Sequence, residues 1–235
     1  MNDLTLIYIT ANKMSDKWMD YHIEQLNRAT HKLFLPIISI SREPMDLGEN
    51  YLDTDKHGYW NIYRQLLRGA KLATTKYVAT VEDDTLYSRE HFKEFRPKDD
   101  EVSYNHSRWS LFSWDAVFCL RQRISNCSLI APRELLIEAL DERMAKHPDG
   151  DNLPNPHIGE VGRHSIELRL KVTRRKKVEW WSTTPVIQLN HPDGIDGCQQ
   201  KKRKAHGQLK ANEIPYWGKA TDIVRIYNEC IGIDK

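Results

Sequence analysis

Residues 75–87 read TKYVATVEDDTLY and set three carboxylates, Glu82, Asp83 and Asp84, directly behind an apolar run. Neighbouring carboxylates repel. At about 4 Å the repulsion costs ~1 kcal/mol in water and several times more where water is partly excluded. A divalent cation offsets it, and clustered oxygen donors suit a hard cation. In extended backbone Glu82 and Asp84 project to the same side. One can then take a metal while the other takes a ribose hydroxyl. Asp99, Asp100 and Glu101 form a second acidic triplet, which reads as a solvated loop. A solvated strand cap is the competing reading of the first triplet, so the surrounding elements must decide.

Those elements follow from hydrophobic period. Leu4 to Thr10 (LTLIYIT) reads as a buried strand, followed by the polar turn Ala11-Asn12-Lys13. Ser15 is placed to cap a helix carrying Trp18, Met19, Ile23 and Leu26. Leu33 to Ile40 is a second strand, with Pro36 suggesting an edge or a bulge. Residues 41–58 read as a loop. Tyr59, Ile62, Tyr63, Leu66, Leu67 and Ala70 recur at helical spacing, and Tyr77 to Val81 is the strand that ends at the triplet. A β-α-β-α-β order implies a parallel sheet with right-handed crossovers. Ligands bind such sheets at the C-terminal strand ends, where Asn12 and the triplet both fall. Further on, residues 110–120 read as one or two strands. Pro132 opens a helix ending near His147, residues 166–172 are helix or strand, and residues 178–189 are strand. Trp217 and residues 223–231 are expected to dock back on the body.

The chain has 235 residues, 40% of them hydrophobic, which suits one large domain. There is no internal repeat and no clear linker. Four scattered cysteines without a CxxC pair argue against a zinc finger or a disulfide framework. No apolar stretch reaches the ~18 residues of a membrane helix, and no signal-peptide pattern is present. These features lead us to expect a cytoplasmic protein. Net charge is +2, but basic clusters crowd residues 169–177 and 201–210. That asymmetry suggests an anionic partner.

Residues 63–84, YRQLLRGAKLATTKYVATVEDD, resemble the central segment of GT-A glycosyltransferases of the family-2 type. Arg64-Gln65 stands at the family's Arg-Asn position and Glu82-Asp83-Asp84 at its DxD-type motif. Leu6 to Asn12 resembles the first nucleotide-binding strand and turn, and Ile124 to Leu136 the acceptor-side strand and helix. The likeness covers roughly the first 140 residues and implies a single domain over residues 1–235, with a nucleotide-sugar-binding half over about 1–100, an acceptor half over about 101–190 and a flexible C-terminal lid or tail over 191–235. Its motifs depart from the pattern, with Glu in place of the first Asp and Gln65 in place of Asn. It implies an α/β, GT-A (Rossmann-like) fold and a metal-dependent transfer of sugar from a nucleotide-diphosphate sugar, with a UDP-sugar as the expected donor. It further implies Mn2+ or Mg2+ on Asp84, with His191 as a late additional ligand. Thr10, Asn12 and Arg64 would line the base and phosphate pocket, with Lys201 and Arg203 closing over the diphosphate. Glu160, or else Glu167, would be the catalytic base of an inverting enzyme.

For the acceptor, Arg174, Arg175, Lys176 and Lys177 precede Trp180 and Trp181. Basic side chains beside aromatics fit a phosphate backbone with unstacked bases. A phage-type or base-J-type transferase acting on 5-hydroxymethyl pyrimidines in DNA is the closest analogy. A saccharide-directed glycosyltransferase, and a nucleic-acid-binding protein or metal-dependent nuclease, are the alternatives.

Overall fold

The computed structural model describes residues 3–154, 157–192, 194 and 209–230. In chain order the elements begin β1 (Leu4–Ile9), α1 (Asp16–Thr30), β2 (Ile37–Ser41), β3 (Glu49–Leu52), α2 (Tyr59–Leu72) and β4 (Tyr77–Glu82). Then come β5 (Thr85–Leu86), α3 (Arg89–Lys93), β6 (Glu101–Asn105), β7 (Arg108–Phe112), β8 (Asp115–Leu120) and β9 (Leu129–Pro132). The chain continues through α4 (Arg133–Lys146), α5 (His164–Leu170), β10 (Lys176–Trp180) and β11 (Val186–Asn190). It closes with β12 (Lys210–Ala211), β13 (Glu213–Ile214), β14 (Gly218–Lys219) and α6 (Ala220–Cys230).

The expected α/β architecture, a mostly parallel central sheet flanked by helices, is present. Its seven strands run β10-β6-β9-β4-β1-β2-β3. Only β9 is antiparallel to its neighbours. A second, five-stranded sheet runs β12-β8-β7-β11-β5. β1 is buried on both faces, as period 2 dictates for a central strand. Ile7 and Ile9 pack with Leu66 and Ala70 of α2 and Leu140 of α4. Leu4, Leu6 and Tyr8 pack on the other side with Leu26 of α1 and Phe92 of α3. Trp18, Phe118, Ile187, Trp217 and Val224 form a third cluster that joins α1 and α6 to the second sheet. α2 lies so close to β1 that a Cβ on Gly69 would stand 2.3 Å from Ile7 Cγ2.

Ser15 caps α1, its side chain accepting from the Trp18 N–H. Several expectations need correction. Residues 49–52, read as loop, form β3, which pairs in parallel with β2. As an edge strand it needs no alternating apolar face. β2 is therefore interior, and Pro36 sits just before it, its carbonyl accepting from Leu6 N at 2.9 Å. Residues 178–189 divide between two sheets, β10 and β11, because Ser182 and Thr184 bind side chains and backbone around Asn105, Ser88 and Glu90. Pro132 ends β9, and α4 begins one residue later. Trp217 does dock on the body, donating from Nε1 to the Pro185 carbonyl at 2.7 Å, and α6 follows it.

Candidate functional site

The parallel strands deliver their C-terminal ends to one cleft of about 500 Å³. Thr10 follows β1, Arg42 follows β2, and Glu82, Asp83 and Asp84 lie at the end of β4. His191 follows β11, from the second sheet, and lines the same cleft. β1 and β4 are adjacent, with Ile9 opposite Glu82. That register places Thr10 beside Asp83, and its hydroxyl donates to Asp83 Oδ2 at 2.5 Å. The Asn12 N–H in turn donates to Thr10 Oγ1 at 2.9 Å. Trp18 Nε1 donates to the Asp83 carbonyl at 2.9 Å, and Thr85 Oγ1 donates to Asp84 Oδ1 at 2.8 Å. The Glu82 N–H donates to the Tyr87 hydroxyl at 3.0 Å. The triplet is thus bracketed from α1, β1 and β5, not splayed into solvent.

The electrostatics fit that confinement. Burial, then Asp84, pushes the Asp83 carboxyl up to about 6, against the Thr10 hydrogen bond and the nearby His191. Burial, then Asp84 and Asp83, holds Glu82 well above the usual carboxylate range, with Arg108 opposing. Two neighbouring acids that cannot ionise freely are the arrangement a bound cation relieves. Among the described residues no group of three or more His, Cys, Asp and Glu side chains is set to hold a metal alone. Asp84 and His191 offer one carboxylate and one imidazole on a shared cleft. That donor set fits a divalent ion completing its shell with substrate phosphates and water.

The other predicted residues divide. Glu160 lines the cleft, and its Oε2 accepts from Arg163 at 3.1 Å. Its charge helps burial raise the pKa of Tyr63, whose hydroxyl accepts from Asn126 at 3.1 Å. Glu167 does not reach the cleft. It is 1% exposed, and its Oε1 accepts from Gly162 N at 2.7 Å and Arg175 N at 3.3 Å, bracing the turn before β10. Arg64 also turns away, in a two-bonded pair with Asp151 at 2.6 and 3.2 Å. Its neighbour Gln65 faces the cleft instead. Asn12 takes a left-handed φ of 53° and spends its side chain on the Arg42 and Glu43 N–H groups, at 2.7 and 3.1 Å. It shapes the loop and is not part of the cleft lining. Lys201 and Arg203 lie outside the described residues.

The basic tract leading into β10 is largely committed to ion pairs. Arg175 meets Glu138 and Glu142, Lys176 meets Asp100, and Lys177 meets Glu179. Trp180 is buried and stacked between His91 and Phe95, so it offers no face to a nucleobase. Arg174 and Trp181 are exposed.

Sequence reasoning missed Asp53, Arg42, Asn61 and Arg108. Buried Asp53 accepts from Asn61 and Gln65 of α2 and pairs with Arg42 at 3.4 Å. Buried Arg108 donates to Gln188 at 2.6 Å behind Glu82. Asp53 lies within the stretch 41–58 that reads as a loop. No local pattern marks it, because its partners come from other elements.

No protein-family model matches the chain, and no curated protein matches its sequence. Solved structures do. A glycosyltransferase involved in the glycosylation of the major capsid of PBCV-1 is 9% identical over 79% of this chain and 92% of its own, at a TM-score of 0.47. The mannosyltransferase PcManGT from Pyrobaculum calidifontis, in complex with GDP-Man and Mn2+, is 10% identical over 80% of this chain and 56% of its own, at 0.42. The bifunctional IspDF from Campylobacter jejuni is 13% identical over 77% of this chain, at 0.45, and the chain spans 50% of its length. A nucleotidyl transferase from Methanothermobacter is similar as well, 13% identical over the whole of both chains at 0.46. At these values the site, not the likeness, must carry the functional reading.

Proposed function

We propose that the chain is a metal-dependent glycosyltransferase that takes sugar from a nucleotide-diphosphate donor and passes it to an acceptor hydroxyl. One observation carries the proposal. Asp83, Asp84 and His191, from two different sheets, meet on a single cleft at the C-terminal ends of β1, β4 and β11. The cleft is of ligand size, and perturbed acids in such a cleft are the usual sign of chemistry. Asp84 and His191 would hold a divalent ion, and the chemistry such an ion would supply there is stabilisation of negative charge on a diphosphate leaving group.

The chain's own groups do the rest. Thr10 fixes Asp83 beside Asp84. Lys13, Arg42 and Arg123 surround the cleft with positive charge and draw in an anionic donor. Glu160, which lines the cleft and accepts from Arg163, would take the proton of the acceptor hydroxyl. A DNA 5-hydroxymethyl pyrimidine and a saccharide both supply such a hydroxyl. The pairing of the β10 tract removes much of the charge that favoured DNA, which leaves Arg174 and Trp181 as its contacts.

The test is release of nucleoside diphosphate from a panel of nucleotide sugars with manganese. Release should stop with EDTA and with Asp84→Asn. A panel in which no donor turns over, with or without saccharide or DNA acceptors, removes the proposal.

A further inference from the structure

We infer that the cleft reads a guanine base through an acceptor wall made by Asn61 and Gln65 and oriented by Asp53. The inference rests on the nucleotide-sugar reading above. Asp53 follows β3 and is buried. Its carboxylate oxygens serve as hydrogen-bond acceptors. Its Oδ2 takes the Asn61 amide NH2 at 2.7 Å and the Gln65 amide NH2 at 2.8 Å. Both amides are therefore held with their NH2 groups on Asp53, and both carbonyl oxygens turn elsewhere. Both side chains line the cleft.

Asn61 is 3% exposed, and its Oδ1 has no hydrogen-bond partner among the described residues. Buried acceptors without a partner are rare, and one on the wall of a cleft points to a ligand donor. Arg42 adds a cationic N–H group to the same wall. Its Nη1 donates to the Asp53 carbonyl at 3.3 Å, and its Nη2 pairs with Oδ2 at 3.4 Å.

Two fixed acceptors and one donor ask for a base edge with two donors and one acceptor. Guanine has one, in N2–H2, N1–H and O6. Uracil sets a single N–H between two carbonyls, cytosine sets one amino group beside two acceptors, and adenine pairs one donor with one acceptor. The spacing agrees. In the sheet β3 lies three strands from β4, roughly 14 Å at the usual strand separation. That is the reach of a nucleoside from a diphosphate held at the triplet to the far edge of its base.

The experiment is calorimetric titration of the full chain with GDP, UDP, CDP, ADP and inorganic pyrophosphate, each with manganese. GDP should bind at least about tenfold more tightly than UDP, because an unmatched base leaves buried polar groups unpaired. Asn61→Ala and Gln65→Met should each lower GDP affinity about tenfold while pyrophosphate affinity holds. Equal binding of all four nucleotides, or a preference for any but GDP, overturns the guanine assignment and leaves the transferase reading standing. A GDP preference that survives both variants overturns the role of the two amides. Failure of every probe, pyrophosphate included, overturns the nucleotide-sugar reading itself. If a variant does not fold, the wild-type ranking decides alone.

Discussion

Replacing Asp83 by Asn tests the electrostatics of the triplet without assuming any substrate. Burial and Asp84 raise the Asp83 carboxyl from 3.8 to about 6. At 1.36 kcal/mol per unit that shift sets a ceiling of ~3 kcal/mol on the destabilisation of the folded state. Asp83 keeps part of its surface on the cleft, so solvent reduces the figure to about 1–3 kcal/mol. The sign follows from the direction. The folded chain holds this proton more tightly than the unfolded chain does. Below pH 3.8 both states carry it and nothing is lost. Between 3.8 and about 6 the unfolded chain ionises first, so stability falls as pH rises, and above 6 the whole penalty is present. Asn retains an oxygen that can accept from Thr10. In EDTA at pH 7.5 Asp83→Asn should therefore melt roughly 2–10 °C above wild type, and the gap should close towards pH 4. Manganese held by Asp84 and His191 should narrow the gap, since the cation offsets the negative charge beside Asp83. Calorimetric scans across that pH range, with and without manganese, give the answer. A gap in EDTA that is zero or negative throughout would refute the claim that burial and repulsion strain the triplet.

Five further variants have expected outcomes. Asp84→Asn should remove manganese-dependent donor turnover while circular dichroism stays native, and His191→Ala should weaken manganese affinity as read by titration. Glu160→Gln should lower kcat by about 10²–10⁴-fold with little change in donor KM, whereas Arg64→Ala should leave both parameters near wild type and cost under about 1 kcal/mol of stability, because its partly exposed pair with Asp151 lies off the cleft. Gly69→Ala should lower the melting temperature, because the new methyl meets the fully buried Ile7 at 2.3 Å, an overpacking of about 1–3 kcal/mol that exceeds the helix-propensity gain.

Hydrophobic period alone placed β1, α1, α2 and β4, because each presents a strong local pattern and a buried face. It also put the acidic triplet at the correct end of a central parallel strand. β3 escaped because an edge strand needs no apolar alternation, and β10 and β11 ran together because nothing local shows that two strands belong to different sheets. Side-chain direction was beyond the sequence. Glu160 and Glu167 are equivalent as letters, yet one lines the cleft and the other braces a backbone turn. Arg64 points to a carboxylate 87 residues away, and Trp180 is held by rings from another element. The order of the elements and the position of the acids were legible along the chain, since both depend on neighbours in sequence. Which polar groups meet across the cleft, and which are spent on the scaffold, was decided only by tertiary pairing, because hydrogen bonds and burial join residues that no local period connects.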